Sequence, residues 1–171
     1  MKRQHFFIIA SICVLTASVA VLGILHYNRM QVLLTRTEMA SFIITANGQE
    51  HVVSIDSINE IGLRPFTATR RGGGLIAEVH FHGVLLKDIC GFFGIDISGK
   101  SSAVASAADG FFSAVSIESI LEPDNIWIAA MQDGEPLPSR EDGGDGPFML
   151  VVRNDTFSQN WCKYLLEVEF K

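Results

Sequence analysis

The chain has 171 residues, 48% of them apolar and 19% charged, with a formal net charge of −6. That composition belongs to one folded domain of ordinary size and excludes a disordered or fibrous chain. All 19 carboxylates lie from Glu38 onward against nine Lys and Arg, a balance of −10 that serves solubility and argues against nucleic acid or anionic headgroups as partners.

Residues 1–5 form a short basic start, and Phe6 to Leu25 (FFIIASICVLTASVAVLGIL) carries no charge. At about 1.5 Å per residue this run reaches roughly 30 Å, the thickness of a bilayer's hydrocarbon core. Ser18-Val19-Ala20 resembles a signal-peptide cleavage site, but the apolar run continues through Val21, Leu22, Ile24 and Leu25, so residues 6–25 read as a retained anchor. Bulky Ile12 before Cys13 argues against lipoprotein processing. Lys2 and Arg3 precede the span while Arg29 and Arg36 are dispersed after it, which predicts an inside N-terminus and a domain outside the cytoplasmic membrane, periplasmic or extracellular. Residues 26–39, without Gly or Pro, predict a stalk, and the folded domain is expected over 40–171.

Phe42 to Ala46 and His51 to Ile55 are β-rich runs around Asn47-Gly48, a strong hairpin signal. Ser57 to Gly62 predicts a short helical turn, which Pro65 prevents from continuing. Leu75 to His82 predicts a half-buried strand, with Val79 and Phe81 on one face and Glu78, His80 and His82 on the other. Val84 to Phe93 gathers Leu85, Ile89, Phe92 and Phe93 on one helical face and ends before Gly94.

Ala103 to Ala107 and Phe111 to Ser116 flank the turn Asp109-Gly110, and Ser116 to Leu121 predicts a short helix. Ile126 to Met131, Phe148 to Arg153 and Tyr164 to Phe170 complete the strands. Between them Gln132 to Pro147 (QDGEPLPSREDGGDGP) predicts a long loop of the kind that carries function. Many short strands, few helices and no βαβ alternation predict a mixed, largely antiparallel α+β domain. Cys90 and Cys162 are the thiols of this domain; they form one disulfide or stay free and buried.

Three stretches in order, Gly83-Val84-Leu85-Leu86-Lys87-Asp88-Ile89, Ala108-Asp109-Gly110-Phe111, and Gly143-Gly144-Asp145-Gly146-Pro147 leading through Phe148–Arg153 to Trp161-Cys162-Lys163, resemble the oxidoreductase molybdopterin-binding domain, the fold of sulfite oxidase. The resemblance covers residues 40–171 and implies an α+β domain with a pterin-sized groove beneath its loops. It also implies a cysteine thiolate on molybdenum, in the segment before the strand that leads to the Gly-Val-x-Leu motif. Here that segment reads Phe66-Thr67-Ala68-Thr69-Arg70-Arg71-Gly72-Gly73-Gly74, and a neutral hydroxyl lacks the soft anionic sulfur such a centre uses. Some non-catalytic relatives are extracytoplasmic pterin binders that regulate a membrane signalling partner.

On that basis the ligand-contact residues are expected to be Arg70, Arg71, His80, His82, Asp109, Phe111, Asp145 and Trp161. Arg70 and Arg71 either present guanidinium forks to an anion or pterin carbonyl or cap a flexible turn. His80 and His82 share a face with Glu78, but a metal needs further ligands, so a hydrated face or direct ligand contact is the alternative. Asp109 offers a carboxylate to an amino-pyrimidine edge and Phe111 a ring to stack on it, or the pair merely closes a hairpin. Glu141, Asp142 and Asp145 do not match an EF-hand loop, and Trp161 either packs at the core's edge or walls the groove. Gly-x-Ser-x-Gly, Walker, Cys-x-x-Cys and His-Glu-x-x-His motifs are all missing from the sequence. The expected function is therefore a membrane-tethered binding or sensing module for a small planar ligand, with a pterin as candidate and no metal or cofactor firmly assigned. A molybdopterin-dependent oxidoreductase with a redox partner and a structural protein-interaction domain are the alternatives.

Overall fold

The computed structural model describes residues 14–25, 27, 28, 40–72 and 74–171. Residues 14–25 are helical (α1), and Val14, Leu15, Leu22 and Leu25 along it are 60–69% exposed. Residues 6–13 of the predicted span and most of the predicted stalk lie outside the described residues. Among the described residues no helix is long and apolar enough to cross a membrane.

The second compact unit, residues 36–171, holds the core. Its hairpin of β1 (Ser41–Ala46) and β2 (Gln49–Ser54) pairs antiparallel around Asn47 and Gly48, whose φ angles of 53° and 76° are the left-handed pair that such a turn demands. Ser54 then caps α2 (Ile55–Ile61), its hydroxyl accepting from the Ser57 backbone N–H at 3.2 Å.

The chain next forms two strands where only one was expected. β3 (Arg64–Gly72) pairs antiparallel with β4 (Leu75–Leu85) over its full length, so Arg70 and Arg71 belong to a strand instead of a glycine turn. Pro65 ends the helical stretch as expected and is tolerated in β3 because β3 is an edge strand, where a missing N–H costs little in the ladder. α3 (Leu86–Phe92) follows, and Gly94 beyond it has φ 63°. β5 (Ser102–Ala107) and β6 (Phe112–Ser116) form the expected hairpin, and Ser116 caps α4 (Ile117–Leu121).

β7 (Ile126–Gln132) is followed by the very short β8 (Glu135–Pro136) inside the predicted loop. β9 (Met149–Val152), a 3₁₀ turn at Ser158–Asn160 and β10 (Leu165–Phe170) end the chain. One sheet has the order β2-β1-β10-β5-β6, antiparallel except for the parallel pair β1 and β10. The other runs β3-β4-β7-β8, with β9 also on β7.

The second sheet curls until its outer strands are joined by side chains. Arg153 Nε donates to the Thr67 carbonyl at 2.9 Å, while Ser158 Oγ donates to the Arg71 carbonyl at 2.8 Å and accepts its N–H at 3.1 Å. Gly83 makes the curl sterically possible: a Cβ there would sit 2.3 Å from the Ile128 carbonyl oxygen, beside the register shift between β4 and β7. Both sheets bury their inner faces in one core. Cys90 and Cys162 are free and buried, which settles the disulfide alternative.

Candidate functional site

Along β3 the alternation of side chains buries Phe66 and Ala68 and brings Arg70 to the same inner face. An aromatic column runs through this interior. Trp127 stacks on Phe66 at 4.3 Å, Phe66 on Phe81 at 5.4 Å, and Phe81 meets Trp161 edge-on at 5.8 Å. An arginine covers each end, Arg64 at 5.3 Å from the Trp127 ring and Arg70 at 5.7 Å from the Trp161 ring. Trp161 Nε1 is fixed by the Val152 carbonyl at 3.0 Å, so the ring that supports Arg70 is itself held.

At this end Asp145 joins two cations: Arg70 Nη2 donates to one carboxylate oxygen at 3.0 Å and Lys163 Nζ to the other at 2.8 Å. The Asp145 side chain is 17% exposed, and the cluster stands against a cavity of ≈ 430 Å³ that Gln132, Glu135, Leu137 and Gly144 also line. Arg70 Nε is buried without a hydrogen-bond partner among the described residues. The glycine-rich loop walls the cavity because its backbone packs on itself. Gly144 N–H donates to Ser139 O at 2.9 Å and Gly146 N–H to Pro138 O at 2.8 Å, and a Cβ at either glycine would lie within 2.4 Å of a carbonyl oxygen.

The eight residues expected at a site are only partly gathered. Arg70 and Asp145 line the cavity, and Trp161 lies buried behind Arg70. Arg71 is exposed at the end of β3, its backbone tied to Ser158. His80 is exposed and His82 half-buried on the outer face of β4, away from the cavity lining. Asp109 accepts from the Phe111 N–H at 3.0 Å and thereby shapes its own turn, and Phe111 is 39% exposed at that hairpin tip. The hairpin reading of this pair therefore describes the structure. Among the described residues no group of three or more His, Cys, Asp or Glu is disposed to hold a metal. Lys163, Gln132 and Glu135 are cavity residues that sequence reasoning did not single out.

A second cavity, ≈ 350 Å³, opens where the resemblance implies the molybdenum thiolate. It is lined by Thr67, Thr69, Glu78, Arg153 and Asn154, with Ala68 as its apolar contribution. No cysteine lines it. Cys90 is 2% and Cys162 0% exposed, and burial pushes each thiol up to about 12, with the Asp109 charge adding to the effect at Cys162. A thiolate ligand for molybdenum needs the opposite, a lowered pKa and an open approach. The residues present therefore do not fit a molybdenum centre of that kind.

No protein-family model and no curated protein matches the chain. Among solved structures it is similar to the sulfane dehydrogenase SoxCD of Paracoccus pantotrophus, at 16% identity and a TM-score of 0.64. The match covers 76% of this chain and 37% of that one, so the chain spans little more than a third of the neighbour's length. At that identity the likeness is one of fold, a sulfite-oxidase-like molybdopterin fold carried on a mixed α+β frame.

Proposed function

We propose that this chain is a membrane-anchored, extracytoplasmic binding module that takes a small planar polar ligand of pterin type in the Arg70–Asp145–Lys163 cavity and works without molybdenum. The observation that carries the reading is the Arg70–Asp145–Lys163 cluster, two fixed cations and their shared carboxylate lining a cavity of ligand size. A ring carbonyl of the ligand would accept from the guanidinium and ammonium N–H groups that Asp145 leaves over. Both Asp145 oxygens are occupied, so Asp145 holds the two cations in place while the Glu135 carboxylate, on the same cavity, is the acceptor for an amino-pyrimidine edge. Trp161 supports Arg70 from behind and does not stack on the ligand.

The anchor rests on the uncharged run Phe6–Leu25 and on the exposed apolar side chains of α1, which lipid would cover. The basic bias before the span supports the outward orientation of the domain, and a ligand-gated contact with a signalling protein in the same membrane is the proposed output. The second reading, a molybdopterin-dependent oxidoreductase, is favoured by the fold likeness and opposed by the two buried thiols.

The test is titration of the full-length chain with neopterin, followed by tryptophan fluorescence because Trp161 touches Arg70. Saturable quenching that Arg70→Met weakens at least tenfold (about 1.4 kcal/mol) is the expected result. Quenching that does not saturate, or that Arg70→Met leaves unchanged, overturns the assignment.

A further inference from the structure

The cavity on the outer face of β3 has no part in the pterin reading, and its chemistry is of a different kind. Its two charged residues are Arg153 and Glu78, one of each sign. Arg153 is held in place by the Thr67 carbonyl through Nε and by Asp124 through Nη1, which leaves Nη2 for another acceptor. Glu78 and the hydroxyls of Thr67 and Thr69 take no hydrogen bond or ion pair from the described residues. The Asn154 amide adds a neutral donor and acceptor, and this residue also lines an adjoining cavity of ≈ 440 Å³ edged by Ser116, Ser119 and Asn160.

We infer that this cavity binds a neutral polyhydroxylated ligand, one sugar ring of a free saccharide or of a glycan end. An anion entering it meets the unpaired Glu78 carboxylate, and Arg153 has its charge balanced by Asp124, so a neutral hydroxyl ligand meets no net repulsion. A carboxylate accepts from two adjacent hydroxyls, a guanidinium donates to a ring or hydroxyl oxygen, and each threonine hydroxyl both donates and accepts. A vicinal diol is the ligand group that offers donors and acceptors in matching number. The volume of ≈ 350 Å³ lies within the usual range for small-molecule sites. With Ala68 as the sole apolar residue of the lining, affinity comes from hydrogen bonds against water, and a single sugar is expected to bind with a Kd on the order of 1 mM.

The experiment is saturation-transfer NMR on the full-length chain with D-glucose and cellobiose, beside glucose 6-phosphate and glucosamine as the charged analogues. Glucose is expected to saturate, glucose 6-phosphate to bind at least tenfold more weakly, and glucosamine to bind no more tightly than glucose. Cellobiose binding tenfold more tightly than glucose identifies a glycan chain extending past Asn154, and equal binding identifies a free sugar. Glu78 is exposed on β4, so Glu78→Gln leaves the core intact. That variant should weaken glucose about tenfold and bring glucose 6-phosphate up to equal binding, because no unpaired carboxylate then faces the phosphate while Arg153 stays paired with Asp124. Thr69→Val should lose glucose binding without gaining the phosphate. Saturating neopterin should leave glucose binding unchanged, so failure here is separate from failure of the pterin reading. Absence of saturable glucose binding, or preference for either charged sugar in the unaltered chain, overturns the inference.

Discussion

Replacing Asp145 by Asn tests the cavity's architecture at its most connected residue. The native carboxylate accepts from Arg70 at 3.0 Å and from Lys163 at 2.8 Å while only 17% exposed. A hydrogen bond to a charged partner is worth about 1.5–3 kcal/mol. The cations are 35% and 44% exposed, so water screens much of that, and the amide oxygen still accepts one of the two bonds. What remains is the loss of one charge-assisted bond and a new repulsion between Arg70 and Lys163, a cost of about 2 kcal/mol. For a domain of this size that corresponds to a fall in Tm of roughly 4–8 °C. Urea unfolding followed by tryptophan fluorescence reads the cost directly, since Trp127 and Trp161 are both buried. The same chain with Lys163→Met added completes a double-mutant cycle. Lys163→Met should cost up to about 1 kcal/mol alone and nothing, or a small gain, in the Asp145→Asn background. Asp145→Asn within about 0.5 kcal/mol of the unaltered chain, or a Lys163→Met effect identical in both backgrounds, would refute the reasoning.

Gly83→Ala should cost about 3 kcal/mol in urea unfolding, because its Cβ would meet the Ile128 carbonyl at 2.3 Å and backbone cannot yield as a side chain does. Trp161→Phe should cost about 2 kcal/mol by the same assay, from the lost bond to the Val152 carbonyl and a weaker platform beneath Arg70. Stability should also fall as pH rises from 9 toward 12. The thiols of Cys90 and Cys162 ionise near 9 when unfolded but stay protonated to about 12 when folded, so the unfolded state binds fewer protons across that window. Each thiol contributes a slope of up to about 1.4 kcal/mol per pH unit, and a chain in which both are replaced by Ala should show a visibly flatter alkaline limb.

How much of this was legible in the sequence follows the range of the interactions. Local signals were read correctly: Asn47-Gly48 and Asp109-Gly110 turn hairpins, and Val79 and Phe81 face inward while Glu78 and His80 face out. β3 went unread because Pro65 at one end and the Arg-Arg-Gly run at the other resemble turn chemistry, and pairing with β4 overrode both. Once β3 is recognised, the parity of Phe66, Ala68 and Arg70 puts the arginine on the core side, a signal that was present in the sequence. The parallel match of β1 with β10 joins opposite ends of the domain, and no local pattern specifies it.

The site shows the same division. Arg70 and Asp145 were singled out separately, by a glycine run and by a loop, but their contact spans 75 residues and includes Lys163, which entered only as the end of the Trp161-Cys162-Lys163 stretch and with no role of its own. Arg153 looked like the end of a strand and proves to be the side chain that helps close the second sheet and charge the outer cavity. Arg71, singled out with Arg70 from the same glycine run, lies exposed outside the first cavity, and His80 and His82 keep the outward face of β4 that their alternation predicts, which that cavity does not touch.

The central claim is the proposed one, that this chain takes its ligand in the Arg70–Asp145–Lys163 cavity and works without molybdenum. Metal analysis of the full-length chain, purified from a host that makes molybdopterin, tests it most directly. The account predicts molybdenum far below one atom per chain, whereas one atom per chain, retained through purification and lost on replacing Cys90 or Cys162, would contradict it.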